Sequence, residues 1–258
     1  MTLKIMAMNN FELQYKELLK DVISNGTLAT NRTAVSTWKQ FNRTLNINLK
    51  EGFPIVTGKK IFFNKALGEF KWIYEGQTDL EYLHKHNIFW WDEFAKNNQL
   101  GKVYGYQIKQ FNGIFNQIEY VISEIKNNSR RAVISLWNPT DLKDQALPCC
   151  YTQFNFVRCN NDLNMVMHFR SSDLFLGLPY DIIVGALFLI TIANECKLNA
   201  NQLGLNLADA HIYKIHSEQV NEYLNSKIYN LPILQGKYED YNLKNYNHNK
   251  FIKAELIK

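Results

Sequence analysis

Two neighbouring stretches hold the side chains best suited to chemistry: Ala146-Leu-Pro-Cys-Cys-Tyr-Thr-Gln-Phe154 and Met167-His-Phe-Arg-Ser-Ser-Asp-Leu-Phe-Leu-Gly-Leu-Pro-Tyr-Asp181. The first places Cys149 directly after a proline. The second places a lone arginine, Arg170, between a β-like run and a Gly/Pro turn, then an acid, Asp181, at the head of the most apolar segment in the chain. A thiolate is a strong nucleophile, and a guanidinium both favours thiolate formation and grips phosphate in a bidentate fashion. Thiol, guanidinium and carboxylate in this order suit a nucleotide site. Arginine is scarce, at Arg32, Arg43, Arg130, Arg131, Arg158 and Arg170, so the adjacent pair Arg130-Arg131 hints at anion recognition that lysine cannot copy. Glu69 lies within an otherwise apolar helical face, where a carboxylate either snorkels outward or is kept inside for proton transfer.

The elements that must position these groups follow from hydrophobic periodicity. Phe11, Tyr15, Leu18, Leu19, Val22 and Ile23 recur at helical spacing, and Asn25-Gly26 stops the helix, which predicts a first helix over residues 10–24. Alternation over 35–49 predicts strands, with Arg32 in the polar loop before them. A turn at Gly52-Phe-Pro54 leads to a short strand at 55–57 and a helix over 62–74. Phe89-Trp90-Trp91 reads as core. A helix is expected over 115–126 and a strand over 132–137. A hairpin of strands at 150–158 and 163–170 turns at Cys159-Asn-Asn-Asp162. Residues 181–196 are apolar nearly all round, which predicts a helix buried in the middle of the fold. A strand near 203–207 precedes Asp209-Ala-His-Ile-Tyr213, expected to open a helix through about residue 224. A final strand at 231–234 and a polar tail from Tyr238 complete the pattern.

At 258 residues the chain can form one large core, and a single α/β (α+β) domain over residues 1–258 is expected. The net charge of +5 is mild and its lysines are scattered without a basic block, which fits an anionic small molecule as well as it fits nucleic acid, and a nucleotide-sized site makes nucleic acid the less expected partner. Four cysteines without C-x-x-C spacing, two of them adjacent, favour free thiols in a reducing compartment over a disulfide or zinc framework. No signal-like leader is evident, and the apolar run at 182–193 falls short of the roughly 20 residues that cross a bilayer. A cytoplasmic protein is expected.

Taken together, Asn31-Arg-Thr33, Gly52-Phe-Pro54, Trp91-Asp-Glu93, Val103-Tyr-Gly105, Ser129-Arg-Arg131, Pro148-Cys149, Arg170-Ser171, Phe175-Leu-Gly-Leu-Pro179 and His211-Ile-Tyr213 resemble the thymidylate synthase family, which includes the pyrimidine nucleotide hydroxymethylases. The resemblance runs over almost the whole chain. It implies one domain whose twisted mixed sheet packs back to back in a homodimer, with 5,10-methylenetetrahydrofolate as cofactor and no metal. It implies Cys149 as the nucleophile that adds to C6 of the pyrimidine and Glu69 as the proton relay. Arg32, Arg170 and Ser171 would bind phosphate, with Arg130 and Arg131 reaching across from the partner subunit. His211 and Tyr213 would hold the ribose, and Trp91, Tyr104, Asp173 and Gly177 would form the folate and base pocket. Lys59 would contact the folate tail, and Ile252-Lys-Ala254 would belong to a segment closing over folate.

Two departures bear on the substrate. The histidine that normally follows the nucleophile is Cys150 here, and the asparagine that reads the base edge is Asp181. Cytosine presents an acceptor at N3 and an amino donor at C4, which a protonated carboxyl can match. Asp181 therefore argues for CMP or dCMP, although an acid before an apolar run is also good helix-capping chemistry. A leucine that shields the C5 methylene in synthases is Ala146 here, which would admit water and give the 5-hydroxymethyl product. Methyl transfer to the same nucleotide, and thymidylate synthase action on dUMP, are the alternatives.

Overall fold

The computed structural model describes residues 9–30 and 34–257; Arg32 lies outside the described residues. The elements in chain order are α1 (Asn10–Asn25), β1 (Thr27–Ala29), β2 (Thr37–Asn48), α2 (Phe63–Tyr74), α3 (Leu80–Lys85), α4 (Tyr104–Lys109), α5 (Gln117–Lys126), β3 (Val133–Ser135), β4 (Tyr151–Cys159), β5 (Asp162–Phe169), β6 (Ser172–Asp173), α6 (Leu178–Glu195), β7 (Asn199–Tyr213), α7 (Ser217–Leu224), β8 (Ile233–Gln235) and β9 (Asn242–Lys244). Local chemistry sets several of these boundaries. Asn9 caps α1 by accepting the Glu12 amide at 3.0 Å, Asp79 caps α3 through the Glu81 amide at 2.9 Å, and Asn116 caps α5 through the Ile118 amide at 3.1 Å.

Seven strands form a mixed sheet in the order β1-β2-β7-β5-β4-β3, with β6 also paired to β7. β5 and β6 run parallel to β7, and the other ladders are antiparallel. One face carries Leu45, Ile47, Phe154, Phe156, Met165, Met167, Leu203, Leu205 and Leu207, all buried. Against it lies α6, apolar on every side because it is covered by the sheet and by α2. Gly185 permits the close approach, since a Cβ there would meet the Met167 sulfur at 2.2 Å. α6 is long and apolar enough to cross a membrane by composition, but 72% of that window is buried inside the fold, as a core helix requires. The opposite face of the sheet is polar and joined across strands, with Asn201 donating to Asn164 at 2.8 Å and Asn206 lying 3.4 Å from the His168 ring.

Several expected boundaries are corrected. Residues 209–213 open no helix: they are the end of β7, and α7 begins only at Ser217. Ala210, Ile212 and Tyr213 are buried there, while β2 pairs with the strand from Gln202 to Tyr213. That long ladder outweighs local helix signals. Residues 55–57 form no strand; the segment is held by side chains instead. The strand expected over 132–137 shortens to β3, the helix expected over 115–126 starts at Gln117, and the last strand shifts to β8, which pairs with β9 in the polar tail.

Candidate active site

The chemistry-bearing residues converge where the C-terminal end of β5, β6, the start of α6 and α2 meet. Cys149 precedes β4 and is fully buried. Arg170, just past β5, donates from Nε to the Cys149 carbonyl at 2.9 Å and from Nη2 to the Pro148 carbonyl at 2.7 Å, and its Nη2 lies 3.8 Å from the Cys150 sulfur. The guanidinium is otherwise exposed, so it can also meet an anion. The sequence led us to expect Arg170 to lower the Cys149 pKa. It does pull in that direction, but burial of the thiol and the neighbouring Cys150 win, and the Cys149 pKa lies well above the ordinary thiol value.

Glu69 projects from α2, and its Oε1 accepts two indole N–H groups, from Trp91 at 2.7 Å and Trp90 at 3.0 Å. Burial raises its pKa against the pull of those donors. It is thus the inward-facing alternative for this residue. Asp181 lies in the first turn of α6, and burial, then Glu69, then Asp173 hold its carboxyl well above the usual carboxylate range. Gly177, not Asp181, is the N-cap residue of α6, and no side-chain cap bond forms there. Among the described residues the Asp181 carboxyl has no hydrogen-bond partner.

Asp173 folds its Oδ1 back onto the Phe175 and Leu176 amides at 2.9 and 3.3 Å, leaving Oδ2 without a hydrogen bond among the described residues. A Cβ on Gly177 would sit 3.4 Å from the Asp173 carbonyl and 3.9 Å from Asp181 Oδ2, so glycine keeps the space between the two acids open. Asp173 pairs in register with His211 on β7. His211 Nδ1 is 3.2 Å from Asp209, which also holds Lys39 at 2.9 Å. Tyr213 packs edge-on to the His211 ring at 5.4 Å. Ser171 is half-buried between Arg170 and β6.

Of the other expected site residues, Lys59, Tyr104 and Trp91 are buried, Ala254 lies in the C-terminal tail, and Arg130 and Arg131 are exposed elsewhere. Lys59 is buried, its ammonium donating to the Phe175 carbonyl at 2.5 Å and lying 3.6 Å from the Phe175 ring centroid. Burial lowers its pKa to about 7, partly offset by Asp173. Its ammonium is turned inward, onto Phe175. Tyr104 is buried beside the Cys149-Cys150 pair, accepting the Cys150 amide N–H at 2.7 Å and stacking on Tyr151 at 4.3 Å. Trp91 is likewise 94% covered and packs on Trp72 and Phe94. Ala254 belongs to a tail docked on the body: Ile252 is buried and the Glu255 carbonyl meets His216 Nε2 at 2.8 Å. Arg130 and Arg131 are exposed just before β3, far from Arg170. A groove of about 750 Å³ between α1 and β2, lined by Glu17, Asp21, Arg43 and Glu51 among others, holds none of these residues.

Sequence reasoning missed Trp90 and Tyr180. Trp90 bonds Glu69 and packs on Tyr180 at 5.4 Å. The only signal was its place in the run Phe89-Trp90-Trp91, which by itself reads as core.

A buried thiol beside a guanidinium, with two carboxyls whose pKa values are raised in the same region, is an arrangement suited to a group-transferring enzyme. The family model for thymidylate synthase matches residues 13–258. Thymidylate synthases of three strains of Francisella tularensis subsp. holarctica (FTNF002-00 / FTA, OSU18 and LVS) are each 36% identical over 270 residues, covering 94% of this chain and 98% of the relative. The chain belongs to the thymidylate synthase family, whose chemistry is folate-dependent transfer of a one-carbon unit to C5 of a pyrimidine nucleotide.

The residues present fit the folate cofactor of that family. Asp173 Oδ2 is a spare acceptor for the N–H edge of a pterin, the space kept by Gly177 adjoins it, and Trp90 and Tyr180 supply flat apolar surface.

Proposed function

We propose that the protein transfers the one-carbon unit to C5 of a cytidine monophosphate, CMP or dCMP, and that the product is the 5-hydroxymethyl nucleotide. The observation that carries this reading is the state of Asp181: a carboxyl in the first turn of α6, not engaged as a cap, without a hydrogen-bond partner among the described residues, and biased toward its neutral form. A neutral carboxyl accepts from the cytosine amino group with one oxygen and donates its proton to N3 with the other. Cytosine N3 is a much stronger base than the O4 carbonyl of uracil, so a shared proton favours cytosine and makes C6 more electrophilic.

In this mechanism Arg170 and Ser171, with Arg32, hold the phosphate and fix C6 over Cys149, and binding energy is spent on orientation. His211 and Tyr213 hold the sugar. The Cys149 sulfur bonds to C6 as its proton leaves, while Asp181 passes a proton to N3, and C5 becomes a nucleophile. When bound, methylenetetrahydrofolate would be held by Asp173, Trp90, Trp91 and Tyr180 and would supply a carbon at the oxidation level of formaldehyde, leaving as tetrahydrofolate. Glu69 then moves protons to and from the ring and removes the C5 proton. Water adds to the methylene left on C5 as the Cys149–C6 bond breaks, returning the thiol. The short side chain of Ala146, half-buried three residues before the nucleophile, leaves that methylene open to water.

The test is mass analysis of products from CMP, dCMP, UMP and dUMP with methylenetetrahydrofolate, alongside dihydrofolate absorbance. The expected result is a hydroxymethyl cytidylate with no dihydrofolate formed. Dihydrofolate appearing with a methyl cytidylate overturns the product assignment. Exclusive turnover of dUMP, the thymidylate synthase alternative, overturns the substrate assignment. Asp181→Asn is expected to swing the dCMP-to-dUMP ratio of kcat/KM by about tenfold or more toward dUMP, because the amide restores the pairing uracil needs.

A further inference from the structure

The acid at position 69 receives an unusual pair of donors. Both indole N–H groups of adjacent tryptophans end on the same oxygen, Oε1, and Oε2 accepts no hydrogen bond among the described residues. Trp91 is fixed from behind by Trp72 at 5.8 Å, so its N–H is a rigid part of the core. Trp90 is differently placed. Half-buried, it spans from Glu69 on α2 to Tyr180, which adjoins Asp181 on α6, and the Lys65 ammonium stands 5.9 Å from its ring centroid, one helical turn before Glu69.

We infer that Trp90 is a positioning residue for proton transfer: its N–H shares Glu69 Oε1 with Trp91, which leaves Oε2 as the oxygen that carries the mobile proton. The physical reason is that an oxygen already accepting two N–H groups is the poorer seat for a proton, so protonation falls on its twin. Two donors also fix the carboxyl plane, whereas one would let it rotate about the Cγ–Cδ bond. Each donor favours the ionised acid, and together they oppose the burial that pushes the other way. The groups facing Glu69 are the two indoles and, through space, Asp181 and the phenols of Tyr151 and Tyr180; the cation of Lys65 faces the Trp90 ring. Tyr180 against Trp90 ties this arrangement to the turn bearing Asp181, so one side chain sets the relation between the two acids. The catalytic meaning rests on the proton-relay role proposed above for Glu69, but the positioning itself can be measured without turnover.

The experiment is a carbon-13 NMR titration of the full-length protein labelled at glutamate carboxyl carbons, with Glu69→Gln identifying the Glu69 signal. Trp90→Phe removes the N–H and keeps an aromatic ring. The Glu69 midpoint is expected to move up by about one pH unit, the size of one hydrogen bond to a charged group, and Phe89→Leu, at an exposed neighbour, is expected to leave it in place. In the unaltered protein the Trp90 indole proton resonance is expected to follow the Glu69 titration, which needs no variant and covers failure of Trp90→Phe to fold. An unmoved midpoint in folded Trp90→Phe, or a Trp90 indole resonance indifferent to Glu69, overturns the inference. In turnover assays the limb of the kcat/KM profile governed by Glu69 is expected to shift by the same amount. A shifted NMR midpoint in a protein that turns over no pyrimidine nucleotide leaves the positioning standing and overturns the proposed function alone.

Discussion

Cys149 sits where its reactivity is decided by two opposed influences. Its burial disfavours the thiolate, and the Arg170 charge that favours it is largely spent on the carbonyls of residues 148 and 149. The outcome is a thiol at rest. Alkylation of Cys149 by iodoacetamide, followed by mass spectrometry of its peptide, is therefore expected to keep accelerating with pH beyond the ordinary thiol range. A plateau near neutrality overturns this. The Cys150 side chain also raises the Cys149 pKa, so Cys150→Ala is expected to move the profile to lower pH. The sequence could name Cys149 and Arg170 but not this sign, because the sign depends on how completely the thiol is covered. Trp90 was obscure for a similar reason. An aromatic in a cluster is core by default, and only the direction of one N–H makes it part of the site.

Residues 55–59 show how an element can be set by side chains instead of backbone pairing. The buried carboxylate of Glu12 on α1 accepts the Thr57 and Gly58 amides at 2.8 and 2.7 Å, the Thr57 hydroxyl at 2.5 Å, the Tyr223 hydroxyl at 2.7 Å and the Asn9 amide at 3.0 Å. Glu12→Ala would leave these donors buried and unpaired, and a loss of about 3 kcal/mol or more in urea unfolding is expected. The loop so held carries Lys59 into the interior, where its pKa falls to about 7. The folded protein then binds fewer protons than the unfolded chain from about pH 7 up to the ordinary lysine value of 10.5, so this residue's contribution to stability rises with pH across that window. Lys59→Met is expected to flatten the rise, seen as urea midpoints that differ less between the two ends of the window. None of this was legible in the sequence, where nothing singles out Glu12 among the acids. Helices α1, α2 and α6 and the β4–β5 hairpin were legible, since each carries its own periodicity and stop signals. The end of β7 was not: what makes it a strand is pairing with β2, far away in the chain.

The placement of Arg130 and Arg131 is a property of the whole molecule. Val133 pairs with Asn155, and Ala132 bonds the Phe156 amide, so the arginine pair lies beside the hairpin-tip end of β4, whereas Tyr151 pairs with Phe169 at the end bearing Cys149 and Arg170. Some seven residues of extended strand separate the two ends, roughly 20 Å or more. Within one chain, the pair and Arg170 therefore cannot grip one phosphate. Members of this family are typically homodimers, and the back-to-back packing expected of them would set a second copy against the polar sheet face with its cross-strand Asn and His contacts. If the pair serves the partner's nucleotide, two different inactive proteins should rescue each other: Cys149→Ser lacks the nucleophile, and the Arg130→Ala/Arg131→Ala double variant lacks the donated cations. A mixed dimer carries one site with both faults and one site with neither. Equal mixtures, unfolded and refolded together, are expected to recover about a quarter of the unaltered activity per subunit, since half the dimers are mixed and each has one intact site of two. Activity no greater than the sum of the separately refolded variants would mean that the arginines act within their own chain or not on the nucleotide at all.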